Sequence, residues 1–163
     1  MTIPLPEPPD DEALVLAMTL YGEARGESNA GLRAVAAVVM NRVARSTARL
    51  PRGMWGGNTV REVCLKSGQF SCWNEGPPPD PNRAKMFAAL KGWQISFKVP
   101  EWKSWQNFER CLTVAREALG SDPPPDPISG STHYHTVGLE AWWSRGHTPV
   151  VVIGGHEFYN AVD

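Results

Sequence analysis

The sequence predicts a mainly helical α+β domain closed by a small C-terminal antiparallel sheet or hairpin. Apolar residues recur at helical spacing from the N-terminal region to about residue 119. Glycine and proline clusters cut that pattern into pieces of helix length. After the breaker DPPPDPISG at 122–130 the chain changes character. THYHT at 132–136 and PVVVIGGHEFY at 149–159 are rich in Val, Tyr and Phe and bounded by glycine.

Residues 1–9 are proline-rich and read as an extended arm before a single domain over 10–163. A first helix is expected from Asp10 to Ala24, with acidic residues at its positive end and Gly26 as C-cap. Ser28 or Asn29 caps a second helix running to about Ser46. Its buried stripe is Leu32, Val35, Ala36, Val39 and Val43. Residues 47–58 read as a loop. Thr59 caps a short helix over VREVCLK, and SGQFSCWNEG at 67–76 is a polar and aromatic loop ended by GPPPDP. A helix over 82–97 sets Ala84, Phe87, Ala88 and Lys91 on one face. Pro100 interrupts, and a helix over 101–119 carries Trp105, Phe108, Leu112, Ala115 and Leu119 as its stripe. Neither side of either proline-rich stretch offers a full core alone, so both read as loops within one domain.

At 163 residues the chain can bury a proper core, and 42% hydrophobic content argues against disorder. A formal net charge of -1 gives no case for nucleic acid or an acidic membrane surface. No apolar run approaches the roughly 20 residues of a membrane span. The opening MTIPLPEPPD has neither lysine nor arginine nor an apolar stretch, so it does not read as a secretory signal. Cys64, Cys72 and Cys111 match no zinc spacing; free thiols and a Cys64–Cys72 bridge both stay open. Seven tryptophans serve either as core or as flat platforms in a cleft.

Chemistry concentrates between Thr19 and Leu32. Glu23 follows Leu16, Thr19 and Leu20 at helical spacing and stands at a helix C-terminus. An apolar setting and an opposing dipole suit a carboxylic acid that keeps its proton, as general-acid chemistry requires. Glu27, just ahead of the next helix, sits where the ionised form is favoured. His133 and His135 share one side of a strand, which can bind zinc with His156 or His147, yet no histidine precedes position 133. Gln69, Phe70 and Ser71 offer an amide, a ring and a hydroxyl that suit sugar hydroxyls and an N-acetyl group. Cys72 as a nucleophile has no diagnostic neighbourhood.

Three segments then read together. YGEARGE at 21–27 precedes LRAVAAVVMNRV at 32–43; GQFSCW lies at 68–73; THYHT leads through Trp142 and Trp143 to VVVIGGHEFY at 150–159. From about Leu14 to Tyr159 this resembles the SleB-type cell-wall hydrolase family, known for spore-cortex-lytic enzymes and found in phages and many non-sporulating bacteria. The resemblance implies a lysozyme- or lytic-transglycosylase-like domain that needs no cofactor or metal. It implies cleavage of peptidoglycan between N-acetylmuramic acid and N-acetylglucosamine, as a lytic transglycosylase or a muramidase. Glu23, the first glutamate of the EARGE motif, becomes the implied catalytic acid. Gln69, Phe70 and Ser71 fall on the groove-lining segment and Tyr134 on a cleft tyrosine. His156 and Tyr159 match the C-terminal pattern, with packing and substrate contact both open. Glu27 is a candidate second carboxylate and Glu75 a weaker one.

Cortex enzymes carry a secretion signal and often a separate wall-binding domain, neither of which is expected here, and the stretch from Gly76 to Glu101 reads as longer and richer in Trp than the family pattern. The expectation is therefore a phage-type endolysin, made in the cytoplasm. It would act on glycan strands in the periplasm after a separate membrane-permeabilising protein opens the way, with no nucleic-acid partner and no membrane insertion. The rival expectation is a zinc-dependent cell-wall peptidase or amidase using His133, His135 and His156.

Overall fold

The computed structural model describes residues 6–48, 55–95 and 104–160, the side chains of Thr47, Ala48 and Ser104 excepted. Within them the chain forms α1 (Glu12–Ala24), α2 (Asn29–Ala48), α3 (Val60–Leu65), α4 (Pro81–Ile95) and α5 (Ser104–Leu119). These precede β1 (His133–Thr136), β2 (Val151–Ile153) and β3 (His156–Tyr159). No helix of the described residues is long and apolar enough to cross a membrane.

The hub is α1. Its sequence is apolar almost all round, so it must be covered all round. Residues Val15 to Leu20 are fully buried, and α2, α3, α4 and α5 all pack on the helix. Thr19 joins that core because its hydroxyl donates to the Val15 carbonyl at 2.9 Å. Asp11, not Asp10, sets the start: its carboxylate accepts from Leu14 N–H at 2.9 Å. The far end differs from expectation. Gly26 is not the C-cap; Arg25 is, in right-handed helical conformation. Two guanidinium groups replace the glycine device. Arg25 donates to the Tyr21 carbonyl at 3.2 Å, and Arg110 of α5 donates to the carbonyls of Arg25 and Glu27 at 2.9 and 3.0 Å. Cations at this end also oppose the negative pole of the helix.

Ser28 caps α2, accepting from Gly31 N–H at 3.3 Å. Leu32, Val35, Ala36 and Val39 are buried as expected, with Ala34 and Val38 beside them; Val43 is only half-buried. Thr59 and Glu62 close a reciprocal capping box at the start of α3. The face of α4 differs from the expected one: Met86, Phe87, Leu90 and Arg83 are buried, while Ala84, Ala88 and Lys91 are exposed. The larger side chains take the core because they have more apolar area to withdraw from water. In α5, Phe108, Leu112 and Ala115 are buried as expected, joined by Cys111. The expectations for residues 1–5, for 49–54 of the 47–58 loop, for Pro100, and for helix ends at 96–97 and 101–103 fall outside the described residues, while residues 47–48 belong to α2 rather than to that loop. The arm is tied down at Pro9, whose carbonyl accepts from Arg61 Nε at 3.2 Å.

The sheet has the order β1-β3-β2, antiparallel throughout. Both expected forms are therefore present: β2–β3 is a hairpin, and β1 completes a sheet. Its turn needs glycine, since Gly154 has φ +58 and a side chain there would strike the Glu27 carboxylate. The register pairs Tyr134 with Phe158 and Thr136 with His156, and pairs His133 with Tyr159 and His135 with Glu157. Directly paired residues share a face, so Tyr134 and His156 project to one side and His133 and His135 to the other.

Candidate active site

Glu23 occupies the last turn of α1, half-buried. The segment QFSCW comes to it because its apolar members enter the core. Phe70, Cys72 and Trp73 are buried, and Trp73 Nε1 donates to the Thr19 hydroxyl at 2.9 Å. Between them the chain forms a 3₁₀ turn over Ser71–Trp73. Gly22 permits this approach: a Cβ there would lie 2.6 Å from both Cys72 Cβ and Met86 Sδ. The backbone N–H of Cys72 then donates to Glu23 Oε1 at 3.0 Å, with the Ser71 hydroxyl on the same oxygen at 3.5 Å.

From the opposite side β1 delivers Tyr134, whose hydroxyl donates to Glu23 Oε2 at 3.3 Å. The ring is stacked on Phe158 and meets His156 edge-on, with centroids 5.8 and 5.1 Å away. Burial, and then the Glu23 charge, pushes the Tyr134 hydroxyl well above its ordinary range, so it stays neutral. The two carboxylate oxygens are thereby inequivalent. A backbone N–H can only donate, so Oε1 is the accepting oxygen. A proton carried by Glu23 belongs on Oε2, facing a hydroxyl able to donate or accept.

Arg42 of α2 ties the two sides together. It is 6% exposed. Its Nε donates to the Thr132 carbonyl at 2.8 Å, just ahead of β1, and Nη1 to Gln69 Oε1 at 3.2 Å. The guanidinium lies over the Phe70 ring, 5.1 Å from its centroid. Burial lowers the Arg42 pKa from its ordinary value, and the nearby Tyr134, Cys64 and Glu23 act against that shift.

Around Glu23 opens a cleft of about 670 Å³, lined by Gln69, Ser71, Asn74, Tyr134, Trp55, Trp142 and Trp143 among others. A smaller polar cavity beside it is bordered by Glu23, Glu27 and His156 together. There Glu27 Oε2 accepts from Gly155 N–H at 3.1 Å, and Oε1 lies 3.9 Å from His156 Nδ1. Burial lowers the pKa of His156 against the pull of Glu27 and Glu23.

A family model described as Cell Wall Hydrolase matches residues 26–159, most of the chain; Ser71, Cys72 and Tyr134 lie within the match, and Glu23 lies three residues ahead of it. The chain belongs to the cell wall hydrolase family. Among solved structures, this hydrolase is similar to the catalytic domain of the Bacillus cereus SleB protein. The two are 22% identical with a TM-score of 0.54, over 93% of this chain and 94% of that one. It is also similar to the catalytic domain of the germination-specific lytic transglycosylase SleB from Bacillus anthracis. Here identity is 23% and the TM-score 0.53, over 96% of this chain and all of that one, 100%. At such identities the likeness is one of fold. No curated protein matches the chain.

The hydrolase brings Glu23, Gln69, Ser71 and Tyr134 to one cleft. Phe70 differs from expectation: at 1% exposure it supports Arg42 from within the core and presents nothing to a substrate. Glu75 is held by Arg83 at 2.6 Å and borders a different cavity, so it does not share the Glu23 cleft. The zinc set does not assemble. His133 and His135 share the Trp143 side of the sheet, their centroids 5.1 and 5.4 Å from it, while His156 is on the other face. Among the described residues no three His, Cys, Asp or Glu groups are placed to hold a metal ion. All three cysteines are free and buried, so Cys64 and Cys72 are not bridged. Burial pushes the Cys64 and Cys111 thiols up to about 12 and Cys72 further, beyond use as a nucleophile. Sequence reasoning assigned no role to Gly22 or Arg42. Each carried a signal: a glycine inside an apolar helix, and an arginine one helical turn beyond a valine stripe.

Proposed function

We propose that this hydrolase is a glycosidase that cuts the peptidoglycan glycan strand between N-acetylmuramic acid and N-acetylglucosamine, with Glu23 as general acid. One observation carries the reading: a half-buried glutamate in a tryptophan-lined cleft, oriented from both sides by Cys72 N–H and the Tyr134 hydroxyl. In the reaction the proton on Oε2 passes to the glycosidic oxygen, and the bond to C1 breaks with its electron pair leaving on that oxygen. The cation at C1 is stabilised by the substrate's own N-acetyl oxygen, so no second carboxylate is required. Glu23, now ionised, takes the proton of the attacking hydroxyl and is restored. Attack by the sugar's C6 hydroxyl gives an anhydro end, and attack by water a reducing end. The description of the similar Bacillus anthracis protein as a lytic transglycosylase favours the anhydro product.

In this reading Gln69, Ser71 and Tyr134 contact the sugar, while Glu27 braces the β2–β3 turn through Gly155. Access to the wall after a separate protein breaches the membrane, as for an endolysin, is part of the proposal. Added purified protein should lyse permeabilised cells and spare intact ones.

Mass spectrometry of digested peptidoglycan is the test, because it separates anhydro sugar, reducing sugar and cut peptide. Glycan ends are expected, insensitive to a chelator. Glu23→Gln should fold normally and lose on the order of a hundredfold or more in rate. Full lysis by that variant, or cut peptide from the wild type, would overturn the assignment. Glu27→Gln should lower Tm with little change in the product ratio.

A further inference from the structure

Three large apolar side chains on the 137–142 loop stay in water: Trp142 is 81% exposed, Leu139 63% and Val137 48%. Trp142 and Leu139 both line the cleft that holds Glu23. The neighbouring Trp143 behaves differently. Its ring packs among His133, His135 and Tyr159 with centroids 5.1, 5.4 and 5.4 Å away, anchoring the loop to the sheet. Further bonds hold the loop in shape. Val137 N–H donates to the Gly155 carbonyl at 2.8 Å, Leu139 N–H to Thr136 at 3.0 Å, and the Ser144 hydroxyl to Ala141 at 2.9 Å. The exposed indole is thus presented by a loop pinned at Trp143 and by these backbone and hydroxyl bonds. Such a surface is pre-organised for a ligand, since little ordering remains to be done on binding.

We infer that Trp142, flanked by Leu139, is a stacking platform for a sugar ring of the glycan strand, at the rim of the Glu23 cleft. This rests on the glycosidase reading above. A pyranose ring has an apolar face of C–H groups and an edge of hydroxyls. The indole matches the face; Gln69, Ser71 and Asn74, in the same cleft, match the edge. An anionic stem peptide fits less well, because the cleft's guanidinium, Arg42, is already committed to Thr132 and Gln69.

The experiment compares wild type, Trp142→Ala and Trp142→Phe in the full chain, on peptide-free glycan strands and on intact peptidoglycan. Binding of peptide-free glycan fragments is measured in parallel in the Glu23→Gln background. Trp142→Ala should raise KM for peptide-free strands roughly three- to tenfold and weaken fragment binding equally, with kcat and Tm little changed. Trp142→Phe should recover most of the loss. An unchanged KM and unchanged fragment binding would overturn the platform. So would a defect confined to peptide-bearing substrate, which marks a peptide contact. A loss of self-association without a binding defect would overturn it too, marking a surface for a second copy. A wild type that binds fragments but cuts no glycan would instead overturn the glycosidase reading and leave the platform standing.

Discussion

Replacing Gly22 by alanine sets two effects against each other. In a free helix the change stabilises by about 1 kcal/mol, because alanine has the higher helix propensity. Here the new Cβ would stand 2.6 Å from Cys72 Cβ and Met86 Sδ and 2.9 Å from Cys72 Sγ. Ordinary contact needs about 1 Å more, and overpacking of this kind costs about 1–3 kcal/mol. The net expectation is destabilisation by up to about 2 kcal/mol, a Tm fall of up to roughly 8 °C for a chain of this size. The larger effect is on rate. The same displacement carries Cys72 N–H away from Glu23 Oε1, now 3.0 Å distant, beyond hydrogen-bond reach. Misplacement by about 1 Å at a reacting group costs up to roughly a hundredfold. The assay is kcat on purified peptidoglycan beside a thermal melt. The double variant Gly22→Ala, Cys72→Gly relieves both Cys72 contacts and leaves only the flexible Met86 to move, so it should regain part of the rate. A single variant with raised Tm and full kcat would refute the claim that this close approach builds the setting of the acid.

Two further outcomes follow from buried groups. Burial lowers the His156 pKa below its ordinary 6.5, so the unfolded chain binds more protons in the window beneath that value. Stability should be fully present above pH 6.5 and fall as the pH drops toward the folded-state value. The Tm of His156→Gln should fall less steeply over that range, even though the charges of Glu27, Glu23 and His135 also act on this ring; identical slopes would count against the linkage. The thiols, pushed up to about 12 at Cys64 and Cys111 and further at Cys72, should resist a thiol reagent at pH 8 in the native protein. They should all react once it is denatured, and rapid native labelling would contradict their burial.

Much was legible in the chain itself. Helical periodicity, the Thr59 capping box and the β-rich C-terminal segment are local patterns, and local backbone preference with side-chain spacing determines them. The conspicuous Glu23 was also legible, because its motif is contiguous. What lay hidden depended on contacts between distant segments. The true face of α4 follows from which side chains the rest of the core admits. The C-terminus of α1 is closed by Arg110, 85 residues further along. The separation of His133 and His135 from His156 is a matter of strand register, which no single strand encodes. Phe70 and Trp142 show the same division most plainly. Both are aromatic residues outside the expected helices and strands, yet one is core and the other stands in solvent. Sequence sets what a side chain can do; only the packing of remote elements decides whether water, protein or substrate meets it.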